Sequence, residues 1–356
     1  MAVTTRSNVS TASGKSPIAA QAAPEILASM ALEPGTLTIG VLMGGCSRER
    51  EISLESGRAV SRALQDLGHD VRPCDVRPGD MTSKFLEGMD VAFIALHGQW
   101  GEDGQIQAEL DRLGACYTGS GPEASRLAMD KVAAKERFGQ AGVPTPAFRS
   151  VRRGSETALR EAVDALGPDL VVKPVADGSS IDVAMGDSLE TTRRAVEAVW
   201  ARDEVAMLER RIAGRELTVA IVGRQTLPVI EIRVPDGWYD FHAKYESDRT
   251  EFIFDHGLPD AVQARVVQVA LAAHEALGCR DLSRVDLMLP PDGEPQVLEV
   301  NTIPGFTSHS LVPKAAAHAG ISFGRLCEWI VALAWQRRRA GSGGKRKRKE
   351  TAIGPT

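Results

Sequence analysis

The order of hydrophobic and polar positions in residues 37–130 predicts strands that alternate with helices. Two mostly apolar runs, 36–45 and 91–98, are typical of strands buried on both faces. Apolar residues recur at helical spacing after each run: Val60, Leu64 and Leu67, then Ile106, Leu110 and Leu113. This alternation indicates a parallel, Rossmann-like α/β subdomain.

The pattern then changes and predicts antiparallel structure. The stretch 216–233 has the alternation of a hairpin that turns near Gly223. A helix over 260–277, with Asp260 as its N-cap, precedes two strands and a last helix. We predict a flexible N-terminal tail, the parallel subdomain, a central subdomain, a C-terminal subdomain and a basic disordered tail (1–36, 37–130, 131–215, 216–336, 337–356).

Charge and cysteine content narrow the class of protein. The net charge is −5, yet residues 337–350 hold eight Lys or Arg and one Glu. A nucleic acid partner for this run is an alternative, but an acidic body and the lack of aromatic residues favour a solvated tail. No apolar run reaches the roughly 18 residues of a membrane span, and the first residues lack the apolar core of a signal peptide. Five cysteines without a CxxC pair favour reduced thiols and a cytoplasmic location.

Two neighbouring strands near the C-terminus carry polar residues on one face. Asp286 alternates with apolar neighbours in the first strand, as Glu299 and Asn301 do in the second. If Leu289 pairs with Gln296, the antiparallel register sets Asp286 opposite Glu299. Opposed carboxylates repel each other, so a half-buried pair needs a proton or a cation. A solvent-exposed face of polar residues is the alternative. Oxygen ligands of this kind suit Mg²⁺ that bridges nucleotide phosphates.

Other residues indicate a nucleotide site. Arg284, on the same strand face as Asp286, could stabilise a developing negative charge. Lys173 ends an apolar strand and precedes the glycine-serine turn 178–180, whose N–H groups could cradle phosphate. Glu209 and Glu216 flank a strand connection where a main-chain edge could read adenine and a carboxylate could bind ribose. An ordinary hairpin turn with exposed charges is the alternative.

Two other stretches imitate nucleotide loops. Residues 12–16 end like a Walker A loop, but its first glycine is missing and no strand precedes it. Residues 119–124 match GxGxxA after a predicted strand, although Pro122 lies where the helix would begin. The second match keeps a nicotinamide-dependent oxidoreductase as an alternative.

Ordered motifs over 37–335 resemble those of the D-alanine–D-alanine ligases, which are ATP-grasp enzymes. They include GGCSREREISLESG, ALHGQWGEDGQIQ, VVKPVADGSS, AKYESD, SRVDLML and LEVNTIPGFTSHSLVP. The resemblance implies an α/β (α+β) ATP-grasp fold and a cytoplasmic, homodimeric enzyme of peptidoglycan precursor synthesis. Such an enzyme joins two D-alanines through an acyl phosphate, with ATP and two Mg²⁺ (or Mn²⁺).

The resemblance also implies a role for individual residues. The nucleotide would be held by Lys131, Lys173, Glu209, Arg210, Ile212 (through its backbone) and Glu216. The metal ions would be held by Asp286, Glu299 and Asn301. The first D-alanine would meet Glu49 and His97, and the second Lys244, Ser310 and Leu311. Catalysis would further involve Ser179 and Tyr245, which link to Glu49, and Arg284 and the Gly305 N–H at the oxyanion.

Four departures from the family pattern leave the rate, the loop conformation and the second substrate open. Asp182 stands where the family usually has glycine, Ile303 replaces a small residue, and 252–260 replaces a stretch with Cys-Pro-Ala. Arg210 and Arg211 replace a pair of lysine and an aromatic residue near the adenine. A ligase that uses D-serine, D-lactate or another D-amino acid is therefore the nearest alternative. The pair Lys244-Tyr245 goes, in the family, with an amino acid as second substrate.

Overall fold

The computed structural model describes residues 36–176, 183–235, 249–291, 293–307 and 310–350. The first part contains a parallel sheet in the order β2-β1-β3, formed by β1 (Thr38–Gly44), β2 (Asp70–Val76) and β3 (Val91–Ile94). Helices α1 (Arg50–Asp66) and α2 (Gln105–Arg112) follow β1 and β3. The predicted parallel sheet with intervening helices is confirmed. The strand predicted before the GxGxxA match contributes only a single bridge, from Tyr117 to Ala92.

Strand β1 is apolar throughout because both faces of the sheet are covered. Ile39 and Val41 lie in one hydrophobic cluster, whereas Leu42 lies in another. Successive side chains of a strand point to opposite faces, so one apolar run serves two cores.

A second sheet is antiparallel and lies in the middle of the chain. Its order is β4-β7-β5-β6, and its strands are β4 (Phe148–Arg152), β5 (Leu170–Pro174), β6 (Ala184–Gly186) and β7 (Val205–Arg210). Helices α3 (Pro122–Met129) and α4 (Lys131–Ala141) precede this sheet in the chain. Helix α5 (Glu156–Leu166) connects β4 to β5, and α6 (Leu189–Trp200) connects β6 to β7. Helices α5 and α6 share one apolar core with the sheet.

The third sheet is also antiparallel. Its main order is β11-β10-β8-β12-β13, with β9 paired to β8. The strands are β8 (Arg215–Val222), β9 (Gln225–Thr226), β10 (Ile230–Arg233), β11 (Glu251–Ile253), β12 (Leu282–Leu289) and β13 (Gln296–Asn301). The predicted hairpin is confirmed, and Gly223 has the positive φ of +63° that its turn requires. Helix α7 (Asp260–Ala276) has Pro259 as its N-cap, so Asp260 lies in the first turn instead.

The predicted register of β12 and β13 holds at the polar end and fails at the turn. Asp286 faces Glu299, but Leu287 faces Val297, because a bulge interrupts the pairing. The predicted pairing of Leu289 with Gln296 is therefore wrong by one residue. The extra residue is Leu298, and it lets β13 bury Val297 and Val300 in one core while Glu299 and Asn301 share the other face.

Helix α4 packs on the third sheet, although the predicted division places it with the central residues. Its Ala134 and Phe138 lie in the same cluster as Val285 of β12. The helix begins at the end of β5, where the Lys131 N–H donates to the Val175 carbonyl at 3.0 Å. It therefore connects the second and third sheets.

The chain ends in α8 (Leu311–His318) and the long helix α9 (Phe323–Glu350). Helix α9 packs between the first and third sheets, since Ile330 shares a cluster with Val41 and Val222. Helix α9 continues up to Glu350, into the residues predicted as a basic disordered tail. No helix within the described ranges is long and apolar enough to cross a membrane.

The start of the predicted tail is fastened to the fold. The Arg337 guanidinium forms an ion pair with Asp281, which is 6% exposed, and donates to the Tyr117 carbonyl at 2.7 Å. Arg338 donates to the Asp90 carbonyl at 3.1 Å. The middle of α9 therefore joins the first and third sheets through charged side chains that composition alone assigned to solvent.

Candidate active site

The predicted carboxylate pair lies where β12 and β13 run side by side. Asp286 is 8% exposed and directly faces Glu299 across the strands. Arg284 donates to both Asp286 oxygens, with its Nη2 at 2.7 Å from Oδ2, and Thr218 Oγ1 donates to Oδ1 at 2.6 Å. The arginine predicted at the oxyanion therefore also neutralises one carboxylate of the pair.

The donor set suits a hard divalent cation. Lys131 Nζ is 3.8 Å from Glu299 Oε2, which is an ion-pair distance without a direct hydrogen bond. The Asn301 Oδ1 accepts the Ile303 N–H at 3.0 Å and keeps a second lone pair for another partner. Two carboxylates and one amide on a shared face provide the oxygen ligands that Mg²⁺ prefers. Among the described residues, no group of three or more His, Cys, Asp or Glu is placed to hold a metal. A metal at Asp286 and Glu299 would therefore take its third protein ligand from the amide of Asn301.

Next to the carboxylates lies a buried cluster of charges. Glu209 is 1% exposed and lies between Lys173, whose Nζ is 2.7 Å from Oε1, and Lys135, whose Nζ is 2.5 Å from Oε2. Burial acts to raise the pKa of Glu209, but the two ammonium groups outweigh it, so the pKa lies below its usual range. The carboxylate is therefore held in its charged form.

The two lysines respond to burial in different ways. For Lys173 burial acts to lower the pKa, but the charge of Glu209 outweighs it and the pKa is raised. For Lys135 burial prevails and the pKa is lowered, even with Glu209 in contact. Lys173 also feels Glu299 and Glu216, so its ammonium group is the more firmly charged of the two.

Lys135 was not among the predicted site residues. The signal that could have found it is helical spacing, because Lys131 and Lys135 lie four residues apart on one face of α4. Its side chain is fully buried and also donates to Thr145 Oγ1 at 2.5 Å. A fully buried lysine in the first turns of a helix indicates a nearby carboxylate, which here is Glu209.

The predicted adenine and ribose residues surround the connection between β7 and β8. Glu209 turns both carboxylate oxygens to lysines, and Arg210 Nε donates to the Leu166 carbonyl at 3.1 Å. Ile212 is half-buried in the connection, and Glu216 lies on β8 near enough to Lys173 for its charge to act there. The structure thus brings the four residues to one region beside the lysines.

Glu49 and His97 lie together at the carboxyl end of the parallel sheet. Glu49 immediately precedes α1, and its Oε2 comes within 2.8 Å of where a Cβ on Gly98 would lie. Gly98 has a φ of +68°, so both space and conformation require glycine there. Ser47 Oγ donates to the His97 carbonyl at 2.6 Å and fixes the two loops relative to each other.

His97 is 4% exposed and has acidic neighbours. Its Nδ1 lies 3.7 Å from Glu102 Oε1, and Glu102 Oε2 accepts the Gly98 N–H at 2.9 Å. Burial acts to lower the pKa of His97, but the nearby carboxylate of Glu102, with that of Glu49 further off, outweighs it, and the pKa is raised. The imidazole is therefore protonated more readily than an ordinary histidine.

The loop after β13 runs from the carboxylate pair towards α8. Ile303 is 7% exposed and packs in the cluster of Leu42 and Trp100, which belongs to the first sheet. The isoleucine is explained by this position, since it fills the core of the parallel part. Gly305 faces Ser310, whose Oγ would lie 3.1 Å from a Cβ on that glycine.

Ser310 and Leu311 mark the start of α8. Ser310 is the N-cap residue, and its Oγ accepts the Thr307 N–H at 3.1 Å. Leu311 is buried at 7% exposure. The start of α8 therefore lies close to the Gly305 loop, as the predicted acceptor site requires. Ser179, Tyr245 and Lys244 lie outside the described residues, as do Asp182 and the 178–180 turn.

The GxGxxA match at 119–124 is built into the fold. The Gly119 N–H donates to Asp281 Oδ2 at 3.0 Å, and the Gly119 carbonyl accepts from Arg280 Nε at 3.0 Å. A phosphate would have to displace a buried carboxylate from that N–H. This occupancy argues against the dinucleotide reading of the loop.

The fold and the site together define the ATP-grasp class. Two antiparallel sheets meet where Lys173 of the second sheet lies near the paired carboxylates of the third, with Lys131 of the connecting helix α4 beside them. The crystal structure of D-alanine–D-alanine ligase from Bacillus anthracis complexed with ATP is similar, with a TM-score of 0.75, 32% identity and coverage of 86% of this chain and 100% of that chain. The VanG D-Ala:D-Ser ligase from Enterococcus faecalis is similar with a TM-score of 0.74, 28% identity and coverage of 84% and 100%.

Sequence comparison narrows the class to a family. Residues 138–332 match the family model described as D-ala D-ala ligase C-terminus. The D-alanine–D-alanine ligase of Bordetella avium is 44% identical over 298 residues, which is 83% of this chain and 93% of that protein. That of Desulforudis audaxviator is 45% identical over 303 residues, 84% of this chain and 99% of that protein. The chain belongs to the D-alanine–D-alanine ligase family.

Proposed function

We propose that the protein joins two D-alanines to D-alanyl-D-alanine, with conversion of ATP to ADP and phosphate, for peptidoglycan precursor synthesis. The observation that carries this proposal is the opposition of Asp286 and Glu299 beside Lys131. Paired carboxylates next to a buried lysine are suited to a metal–nucleotide complex. Membership of the family supports the choice of D-alanine.

ATP binds between the second and third sheets. Lys131 and Lys173 neutralise phosphate oxygens, because compact ammonium groups suit phosphate. The connection between β7 and β8 holds adenine and ribose through Glu209, Arg210, Ile212 and Glu216. Since both Glu209 oxygens contact lysines, a nucleotide contact of that carboxylate requires Lys173 to turn away from it.

Two Mg²⁺ (or Mn²⁺) ions belong at Asp286, Glu299 and Asn301. When bound, they neutralise phosphate charge and polarise the γ-phosphoryl group. Asp286 is already oriented by Thr218, and Arg284 lies against it with nitrogen donors for a developing oxyanion. Contacts between strand residues therefore hold the metal-binding side chain of Asp286 in place.

The two amino acids bind on the side of the first sheet and α8. Glu49 accepts the ammonium group of the first D-alanine, and His97 lies beside it. The carboxylate of the second D-alanine is bound by Lys244, Ser310 and the Leu311 N–H at the start of α8, where helix N–H groups favour an anion. Ser179 and Tyr245 link to Glu49 and close the site.

The chemistry proceeds in two steps. A carboxylate oxygen of the first D-alanine attacks the γ-phosphorus, the bond to ADP breaks, and an acyl phosphate forms. The amine of the second D-alanine attacks the acyl carbon and gives a tetrahedral oxyanion, which Arg284 and the Gly305 N–H stabilise. The C–O bond to phosphate then breaks, the peptide bond remains, and the phosphate takes the proton of the amine.

A phosphate-release assay tests this function. ATP, Mg²⁺ and D-alanine alone are expected to release phosphate and form the dipeptide. Release with D-alanine plus D-lactate, but not with D-alanine alone, would replace the proposal with a ligase of another second substrate. Likeness to a D-Ala:D-Ser ligase favours D-serine as the alternative to include in the same panel.

We further place the enzyme in the cytoplasm as a homodimer. All five cysteines are free thiols, as a reducing compartment favours, and the reaction needs ATP. Sedimentation at enzyme concentrations used for the assay is expected to give the mass of two chains. A single-chain mass at full activity would contradict the dimer.

A further inference from the structure

His97 is linked by hydrogen bonds to both sides of the loop that carries Gly305. The link to Ile303 is direct, and the link to Phe306 passes through Ser56. His97 Nδ1 lies 3.1 Å from the Ile303 carbonyl, and His97 Nε2 lies 3.2 Å from Ser56 Oγ on α1. Ser56 Oγ in turn accepts the Phe306 N–H at 3.3 Å. One imidazole therefore reaches the residues on either side of Pro304-Gly305.

The Ile303 carbonyl fixes which nitrogen of a neutral His97 carries the proton. A carbonyl only accepts, so Nδ1 must carry the proton that it donates to Ile303. In neutral His97, Nε2 then accepts, and Ser56 O–H is its donor. Because the Ser56 oxygen still has lone pairs, it can accept the Phe306 N–H at the same time. The fully buried Ser56 thus satisfies both His97 Nε2 and the Phe306 N–H with one hydroxyl.

Apolar packing holds the same loop on either side of Gly305. Ile303 is buried in the core of the first sheet, and the Phe306 ring lies 5.9 Å from the Phe93 ring, centroid to centroid. The direction of the Gly305 N–H is thereby set by two neighbours whose positions depend on the parallel part. The hydrogen bonds of the Ile303 carbonyl and of the Phe306 N–H then set the direction in which the Gly305 N–H points.

We propose that Ser56 is a positioning residue for the ligation reaction. Through His97 and the Phe306 N–H, it orients the Gly305 N–H towards the oxyanion of the tetrahedral intermediate. This inference rests on the proposed function, since it assigns Gly305 its role there. Hydrogen-bond donors aimed at a developing oxyanion lose much of their effect when they are displaced by about 1 Å.

A second buried serine of α1 provides the matched control. Ser61 is 3% exposed, and its hydroxyl donates to the Gly57 carbonyl at 2.7 Å, within the same helix. Ser56→Ala and Ser61→Ala remove the same atom from the same helix, but only the first removes a bond to the Gly305 loop. Ser56→Cys keeps a weak donor and acceptor at nearly the same size.

The test measures three quantities in each variant: kcat for dipeptide formation, KM for ATP, and the Kd of a phosphinate analogue of the tetrahedral intermediate. Ser56→Ala is expected to lower kcat by about 10-fold to 100-fold and to weaken the analogue similarly, with KM for ATP unchanged. Ser61→Ala is expected to match the wild type in all three. Ser56→Cys is expected to lie between Ser56→Ala and the wild type.

Equal values for Ser56→Ala and Ser61→Ala would overturn the inference, as would a KM for ATP that rises together with the loss of kcat. Failure of both Ser56 variants to fold, with Ser61→Ala folded, would also overturn it, because the hydroxyl would then serve folding. An inactive wild-type enzyme would instead contradict the proposed function before any variant is compared. The two failures are thus distinguishable.

Discussion

Replacing Lys135 with methionine tests the account of the buried charge cluster. The substitution keeps the length of the side chain but removes an ammonium group that lies 2.5 Å from Glu209 Oε2 and 2.5 Å from Thr145 Oγ1. Glu209, at 1% exposure, then depends on Lys173 alone. The remaining lysine would have to neutralise a buried carboxylate and bind a phosphate at the same time.

The size of the effect follows from burial. Breaking a buried ion pair costs about 3–5 kcal/mol of unfolding free energy. The lower end applies, because Lys173 still pairs with the other oxygen of Glu209. A loss of about 3 kcal/mol corresponds to a fall in melting temperature of about 4 °C, because the unfolding entropy is about 2.1 cal/mol/K per residue and the chain has 356 residues. ATP should also stabilise the variant less than the wild type, since Lys173 is held by Glu209.

Thermal unfolding with and without ATP-Mg²⁺ measures both effects. Lys84→Met is the matched control, because Lys84 is exposed and its loss should change stability by at most about 0.5 kcal/mol. Adding Glu209→Gln to Lys135→Met should restore part of the lost stability, since it removes the uncompensated charge. Equal melting temperatures for Lys135→Met and Lys84→Met would refute the reasoning.

Three further substitutions test other parts of the account. His97→Gln should destabilise the protein more at about pH 5.5 than at about pH 8.5. Glu102 raises the pKa of His97 in the folded protein, so the histidine adds stability below its unfolded pKa and loses this stability as the pH rises through its folded pKa. Equal losses of stability at the two pH values in denaturant unfolding would count against this. Arg337→Met should cost about 3–5 kcal/mol in denaturant unfolding, because it leaves buried Asp281 unpaired, whereas exposed Arg339→Met should cost almost nothing; similar costs would contradict the fastening of α9. Glu299→Gln should cut turnover by at least about 100-fold without loss of melting temperature, and wild-type turnover would exclude its metal role.

Much of the candidate site was readable from local pattern. Alternation of apolar and polar residues placed Asp286 opposite Glu299, and the structure has that pairing. The bulge at Leu298 was not predictable, because a strand pattern does not reveal an extra residue whose side chain is only half-buried. A register without the bulge gives the same pairing of Asp286 with Glu299, because the bulge lies between that pair and the turn.

Long-range packing explains what the sequence left open. Ile303 departs from the family pattern, and only the fold reveals that it fills a core belonging to residues some 200 positions earlier. By composition, Arg337 belongs to a basic tail. In the structure it forms an ion pair with buried Asp281 and donates a hydrogen bond to the Tyr117 carbonyl. Contacts of this kind depend on tertiary neighbours, which neither periodicity nor charge counts contain.

An isotope-transfer experiment tests whether the reaction passes through an acyl phosphate. The wild-type enzyme is supplied with ATP, Mg²⁺ and D-alanine labelled with ¹⁸O in its carboxylate, and the released phosphate is analysed by mass spectrometry. The account predicts one labelled oxygen in inorganic phosphate for each dipeptide formed, because the carboxylate oxygen that attacks the γ-phosphorus leaves with it. Dipeptide formation with unlabelled phosphate, or phosphate release that does not depend on D-alanine, would contradict the account.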